Sequence, residues 1–243
     1  MNPDTYAAES KFERDHWWFN GRRRLFLRTI EKHAPSRDAS ILDVGTSTGG
    51  TLRALASHGY HSLAGLELSE EAIRFCQAQG LDQVKLGDVC EMPFDDGRFD
   101  FVIASDVIEH VDDDVKAARE VRRVLKPGRY GIFTVPAFKM LWSRQDDIAR
   151  HKRRYRLRGL LDCLRQAELE IVEIYYFNYL LFLPILAART AFKVLGMKVE
   201  NEDELNSPAA NRLFSKIFTV DVDTARHIHP PFGVSIFALV RRG

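Results

Sequence analysis

Three carboxylates, Asp43, Glu67 and Asp88, each stand at the end of a short apolar run, and that placing gives them chemistry. An acid that closes a strand can accept both hydroxyls of a ribose, and Glu67 stands in that place after Leu63-Ala64-Gly65-Leu66. Asp88, in Gly87-Asp88-Val89, can accept from an adenine amino group while a backbone N–H reaches the ring. Asp43 opens Asp43-Val44-Gly45-Thr46-Ser47-Thr48-Gly49-Gly50, a tight strand-to-helix turn. Its glycines permit unusual backbone angles and close ligand approach. Gly45, Ser47 and Gly50 form a degraded dinucleotide fingerprint, with Ser at the second glycine. Each feature alone reads equally as a turn, a solvated acid or a helix cap. At three successive strand ends they point to an adenosine ligand, whichever cofactor carries it.

The elements that position these groups follow from hydrophobic periodicity. Ile41–Val44, Ser62–Glu67, Val84–Leu86, Phe99–Ala104 and Tyr130–Val135 read as buried strands. Leu52, Leu55 and Ala56 recur at helical spacing. A helix from Ser69, a good N-cap, runs to Gly80, with Glu70 and Glu71 in its first turn. Another begins at Asp112 to Asp114 and is stopped by Lys126-Pro127-Gly128. This β-α-β-α rhythm predicts an α/β, doubly wound, mostly parallel sheet covered by helices on both faces. Leu157–Ala167 reads as a helix, and Leu169–Phe177 and Val234–Arg241 as two last strands. We expect a single domain over 1–243, with an N-terminal helical cap over 1–37 and a helical insertion or lid over 178–232. A structureless loop of that length is uncommon in a compact domain.

Composition excludes several classes. The 243 residues have a formal net charge of +1, which gives no global argument for nucleic acid. The 3 cysteines are far apart and odd in number, and form neither a disulfide framework nor a zinc pattern, so a cytoplasmic setting is expected. The N-terminus is polar and acidic, unlike a signal peptide. The longest apolar stretch, Tyr179 to Ala188, contains Pro184 and is far short of the roughly 20 residues of a spanning helix, so no transmembrane segment is expected.

Taken together, Ile41 to Gly50, Gly87-Asp88 with Met92-Pro93-Phe94, Phe99-Asp100-Phe101-Val102, Glu109-His110-Val111 and Arg123-Val124-Leu125-Lys126-Pro127-Gly128 resemble the motifs of class I S-adenosylmethionine-dependent methyltransferases, of the bacterial small-molecule kind called type 11 or type 23. The resemblance covers roughly residues 38 to 137, with a weaker likeness in the final two strands. It implies a seven-stranded Rossmann-like fold and S-adenosyl-L-methionine as cofactor. It implies that Asp43, Gly45, Thr46, Ser47 and Gly49 shape the methionine end. Glu67 would hold the ribose, Leu68 pack near the adenine, and Asp88 and Val89 read it. Ser105 and Asp106 would line the site near the sulfonium. Ser47 departs from the glycine usual there. Trp18 and Arg22, in His16-Trp17-Trp18-Phe19 and Arg22-Arg23-Arg24, resemble a block that closes over the cofactor in related proteins; an amphipathic helix packing on the sheet fits as well.

Methyl transfer needs alignment, exclusion of water and sometimes a base. His110, just past the fourth strand, is a candidate base or a supporting histidine. His151 and Tyr155 are candidates for acceptor contact or proton transfer, and Arg153 and Arg154 for holding an anion. Asp106, Glu109 and His110 on one helical turn resemble a divalent-metal arrangement of some quinone-pathway O-methyltransferases. Hard cations want several oxygen ligands and this set offers few, so no metal is expected. The acceptor is expected to be a small molecule with an O or N nucleophile, with an anionic or lipid-like character left open by Tyr175 to Pro184 and the basic residues nearby. Peripheral membrane contact, and a monomer or a homodimer, stay open too. The rival readings are an NAD(P)-dependent oxidoreductase or epimerase, disfavoured by the broken fingerprint and by a missing Tyr-x-x-x-Lys, and an inactive cofactor-binding partner subunit.

Overall fold

Ile41–Val44 (β1) buries four residues in succession, the pattern of a strand covered on both faces. A computed structural model describing residues 3–195 and 207–243 sets it inside a seven-stranded sheet. The other strands are β2 (Leu63–Glu67), β3 (Val84–Leu86), β4 (Phe99–Ser105), β5 (Leu125–Pro136), β6 (Leu169–Phe177) and β7 (Ser235–Arg242). Their order is β3-β2-β1-β4-β5-β7-β6, parallel except for β7, which is antiparallel to both β5 and β6. The order reverses between β1 and β4, which opens a crevice beyond their carboxyl ends. The doubly wound, mostly parallel sheet expected from the sequence is present.

Period-two alternation sorts side chains between two cores. On one face Leu42, Val44, Val102 and Ala104 meet Ala117, Ala118 and Val121 of α5 (Asp114–Val124) and Leu160 and Leu164 of α7 (Leu157–Gln166). On the other, Ile41, Phe101, Ile103 and Phe237 meet four helices: α2 (Trp17–His33), α3 (Gly50–Ser57), α4 (Glu70–Ala78) and α9 (Pro208–Ile228). Phe26 and Ile30 of α2 are wholly buried there, each stabilising the fold by roughly 1.5–3 kcal/mol. Gly21 lets α2 approach α9, because a Cβ at that position would overlap the Phe218 ring. α1 (Pro3–Asp15), α6 (Arg144–Ile148) and α8 (Phe182–Val194) lie at the crevice end of the sheet with the cavities described below.

Local signals hold where they are short-range. Ser69 caps α4 by accepting from Ala72 N–H, and Asp113 caps α5 by accepting from Lys116 N–H at 2.8 Å. Lys126-Pro127-Gly128 is a departure: α5 ends at Val124 and β5 begins at Leu125, so these residues lie within the strand. The register shifts between Phe99↔Leu125 and Phe101↔Tyr130. The Pro-Gly pair cannot donate evenly to a ladder and is accommodated as that irregularity. Residues 178–232 contain α8 and α9, and residues 1–37 contain α1 and α2. Residues 1–2 and 196–206 lie outside the described residues.

Candidate active site

The crevice begins at the β1–α3 turn. Gly45 and Thr46 donate their N–H groups to Leu66 O at 2.8 and 3.1 Å, which ties the turn to β2. Gly45 takes φ +71°, and a Cβ there would sit 2.8 Å from Val107 Cγ2. Ser47 also takes a left-handed conformation, φ 47°, a backbone region that favours glycine. The serine is held there from two sides: its N–H donates to Glu67 Oε2 at 2.8 Å, and Cys76 Sγ donates to its carbonyl at 3.2 Å.

Glu67 therefore clasps backbone. Besides Ser47, the N–H groups of Leu68 and Ser69 donate to Oε1 at 2.8 and 3.0 Å. A carboxylate offers about four lone-pair sites, so one remains for a ligand hydroxyl. Leu68 beside it is 72% exposed, an apolar side chain without cover. Asp88 Oδ1 accepts from Cys90 N–H at 2.8 Å and Val89 is buried, which fixes the third strand end. Asp43 is buried, and burial pushes its pKa up to about 8 despite the Arg22 charge. A small cavity of about 60 Å³ is bounded by Asp43, Gly45, Thr46, Ser47 and Ser105, and closed by Arg22. Glu13 of α1 lines it too and accepts from the Thr48 hydroxyl, while Tyr6 bonds Ser69 Oγ at 3.0 Å. Thus α1 spans the turns after β1 and β2.

A second cavity of about 470 Å³ adjoins the first, within the usual range for small-molecule sites. Arg22 and Phe19 line both, so they form the wall between them. Arg22 is ion-paired to Asp106, whose φ of 52° turns the chain sharply after β4. The guanidinium lies 5.7 and 5.3 Å from the Trp18 and Phe19 ring centres. One side of the large cavity is apolar: Pro184, Ile185, Ala188 and Phe192 of α8, with Trp18 and Phe214. Trp18 stacks on Phe177 at 5.8 Å and 5° and on Phe218 at 5.1 Å. Trp18 was expected over the cofactor; it lines the large cavity and not the small one, because its ring is packed into a cluster with those two phenylalanines, which also touch each other at 6.2 Å.

The opposite pole is polar. His151 Nδ1 lies 2.8 Å from Asp146 Oδ1, and Arg154 grips the same fully buried carboxylate with Nε and Nη2 at 2.7 and 3.0 Å. Ser143 N–H adds a bond at 2.8 Å, and these partners hold the Asp146 pKa well below the usual range. The Asp146 contact fixes the ring through Nδ1 and leaves Nε2 as the other nitrogen of His151. His110 packs edge-on to His151, ring centres 4.6 Å apart, and burial with the neighbouring imidazole lowers its pKa. Glu109 lines the cavity floor with 0% exposure, and among the described residues neither of its oxygens has a hydrogen-bond partner. Burial and the Asp106 charge push its pKa well above the carboxylate range.

Several sequence expectations are corrected here. Tyr155 lines neither cavity: it is buried and donates to Asp114 Oδ2 at 2.7 Å, so it braces α5 instead of facing a ligand. Arg153 pairs with Asp114 and the Val111 and Asp112 carbonyls, and Arg154 with Asp146, so neither guanidinium is placed to hold an anion. Residues 106–113 form turns and bends, not the helical turn that was to carry Asp106, Glu109 and His110. Sequence reasoning missed Asp146 and Glu13 and left Glu109 out of the site. Asp146 had one signal, its place in a Ser-x-x-Asp capping box at the start of α6.

Residues 42–133 match the sequence profile of a family described as a methyltransferase domain. A stretch of 111 residues is 38% identical to norajmaline N-methyltransferase of Rauvolfia serpentina, covering 43% of this chain and 38% of that enzyme. Matches to curated relatives span 26% to 43% of those proteins' lengths. They include N-, O- and C-methyltransferases. The structure of Haemonchus contortus phosphoethanolamine N-methyltransferase 2 with S-adenosyl-L-methionine superposes with a TM-score of 0.59 at 19% identity, covering 89% of this chain and 51% of that one. Geranyl diphosphate C-methyltransferase from Streptomyces coelicolor A3(2), bound to Mg2+, geranyl diphosphate and S-adenosyl-L-homocysteine, gives 0.59 at 14%, covering 89% and 78%. At those identities the likeness is one of fold.

Proposed function

From a chain that carries a class I S-adenosylmethionine-dependent methyltransferase domain at residues 42–133, we propose transfer of a methyl group to an O or N atom of a small amphipathic acceptor. The observation that carries this reading is the pair of adjoining cavities with one shared wall, Arg22 and Phe19, at the carboxyl ends of the strands. The residues on the cofactor side suit S-adenosylmethionine. Gly45 allows the left-handed turn that bounds the small cavity, Glu67 keeps one lone pair for a ribose hydroxyl, and the bare Leu68 offers a face for adenine. The cofactor supplies an electrophilic methyl group on sulfonium.

The chain's own part is placement and exclusion of water. Asp43, Ser47, Ser105 and Asp106 bound the methionine end. Asp88 and Val89 lie at the adenine end. Arg22 holds Asp106 and closes the wall. The aromatic and α8 side chains keep water from the acceptor, while Glu109, His110 and His151 engage its nucleophilic group. Asp146 fixes His151 so that one ring nitrogen faces that group.

The wall contributed by α8 favours an acceptor with an apolar, lipid-like body. Leu183, Val194 and Leu195 of the same segment are 64%, 79% and 69% exposed, which supports contact with a membrane surface. Among the described residues no helix is long and apolar enough to cross a membrane. The engaged state of Arg153 and Arg154 weighs against an anionic headgroup at this pole. A monomer or homodimer in the cytoplasm is the accompanying proposal.

Calorimetry with S-adenosylmethionine, S-adenosylhomocysteine and NAD side by side tests the cofactor. Binding of the first two and not the third is expected, and the reverse pattern refutes the reading. Extracts incubated with labelled methyl donor then reveal the acceptor class, and failure to bind liposomes or polyprenyl-phosphate analogues removes the lipid-like alternative.

A further inference from the structure

A buried, unpartnered carboxylate is costly, and native structures retain one where something else satisfies it. Glu109 is such a group, and it faces the large cavity. The two guanidiniums beside that cavity floor are engaged elsewhere, Arg22 with Asp106 and Arg154 with Asp146. What lies closest in chemistry is a pair of imidazoles. One ligand atom each from Glu109, His110 and His151 all lie within 4.8 Å of one another. His151 is also braced by Asp146, the outer carboxylate that typically orients a metal-binding histidine.

We infer that Glu109, His110 and His151 hold a divalent transition-metal cation at the floor of the acceptor cavity. Two imidazole nitrogens and one carboxylate oxygen suit a zinc-like ion, not a hard cation that needs many oxygens. Metal–nitrogen bonds of about 2.0–2.1 Å place ligand atoms about 3–4 Å apart, so side-chain rotations of about 1 Å close the cluster. Three protein ligands leave a coordination position toward the cavity. What fills that position, an acceptor oxygen or nitrogen, rests on the methyl-transfer reading; the cation itself does not. No metal was expected from the sequence because Asp106, Glu109 and His110 offer few oxygen ligands to a hard cation; His151, which a distant segment brings to Glu109 and His110, was not counted with them.

The test uses untagged, chelator-stripped protein titrated with Co2+ alone, followed by visible absorption and by cobalt content after gel filtration. About one cobalt per chain is expected, with an absorption band characteristic of nitrogen and oxygen ligands. Glu109→Gln keeps the shape and the hydrogen bonding of a neutral carboxyl, so it separates a ligand from a merely protonated acid. It should weaken cobalt binding at least about 10-fold, as should His110→Gln, while Asp146→Asn weakens it by about 10–100-fold through His151. Circular dichroism melts identify any variant that fails to fold, and the others then decide. Wild-type protein that retains no cobalt, or Glu109→Gln and His110→Gln variants that bind it as wild type does, overturns the inference. S-adenosylhomocysteine calorimetry on the same samples separates the two readings: binding retained with no cobalt site removes the cation alone, and a cobalt site without cofactor binding removes the methyl-transfer reading alone.

Discussion

Replacing Glu67 by alanine removes a carboxylate that receives three backbone N–H groups, from Ser47, Leu68 and Ser69 at 2.8, 2.8 and 3.0 Å. Bonds of this charge-assisted type contribute about 1.5–3 kcal/mol each when sheltered. The Leu68 and Ser69 donors stand at an open strand end and regain water on truncation, so they add little. The Ser47 donor belongs to the left-handed turn, and its loss frees that turn as well as a bond. A net destabilisation of about 1–3 kcal/mol follows, visible as a lower midpoint in urea. If the remaining lone pair takes a ribose hydroxyl as proposed, cofactor affinity falls in addition. A loss of about 1–3 kcal/mol corresponds to roughly 5- to 150-fold in Kd. Titration calorimetry with S-adenosylhomocysteine, at a temperature where melts show the variant folded, measures it. Glu67→Gln sharpens the result: its amide NH2 would face backbone donors, so it should recover little of the loss. An unchanged Kd for the folded alanine variant would place the ribose elsewhere and refute the assignment.

Asp43, with a pKa near 8 when the site is empty, must give up a proton if a cationic cofactor favours its carboxylate, so the Kd for S-adenosylmethionine should fall up to about tenfold per pH unit from pH 6 to 8 and level off above. A pH-independent Kd removes Asp43 from the cationic end. Asp221 of α9 is buried, accepts from Asn178 and Leu180 N–H at 2.6 and 2.8 Å, and has its pKa pushed up to about 6 by burial. The native state therefore binds more protons than the unfolded chain between about pH 4 and 6, and this group's contribution declines across that window by up to about 3 kcal/mol before flattening. Urea unfolding of wild type against Asp221→Asn should show that slope only in the former. Gly21→Ala should cost about 1–3 kcal/mol by driving α2 off Phe218, read as a lower Tm; an unchanged Tm would mean that the α2–α9 contact yields freely.

What could be read from the sequence was what depends on neighbours along the chain. The Asp43–Gly50 turn, the Ser69 cap and the strand ends at Glu67 and Asp88 are encoded within a few residues, and each lies where its pattern places it. The mostly parallel, doubly wound sheet follows from the alternation of strands and helices, whereas seven strands were implied by the resemblance, and the insertion of an antiparallel β7 between β5 and β6 has no local signal. The acceptor side was less legible because it is assembled from separate segments. His151 meets Glu109 and His110 only through the return of the chain after β5, and Trp18 finds Phe177 and Phe218 across three elements. Side chains with free-looking chemistry, Tyr155 and Arg154 among them, turn out to be occupied by Asp114 and Asp146, pairings that no local pattern reveals.

A partition that two ligands share makes their affinities interdependent. If donor and acceptor occupy the two cavities as proposed, whatever presses on Arg22 from the acceptor side alters the surface offered to the donor, and by thermodynamic reciprocity the donor alters the acceptor's grip by an equal factor. Demethylation of a donor bound there would abolish a positive charge next to that guanidinium and its aspartate. On that placement the spent cofactor and its charged precursor would interact differently with one arginine, and their affinities would differ accordingly.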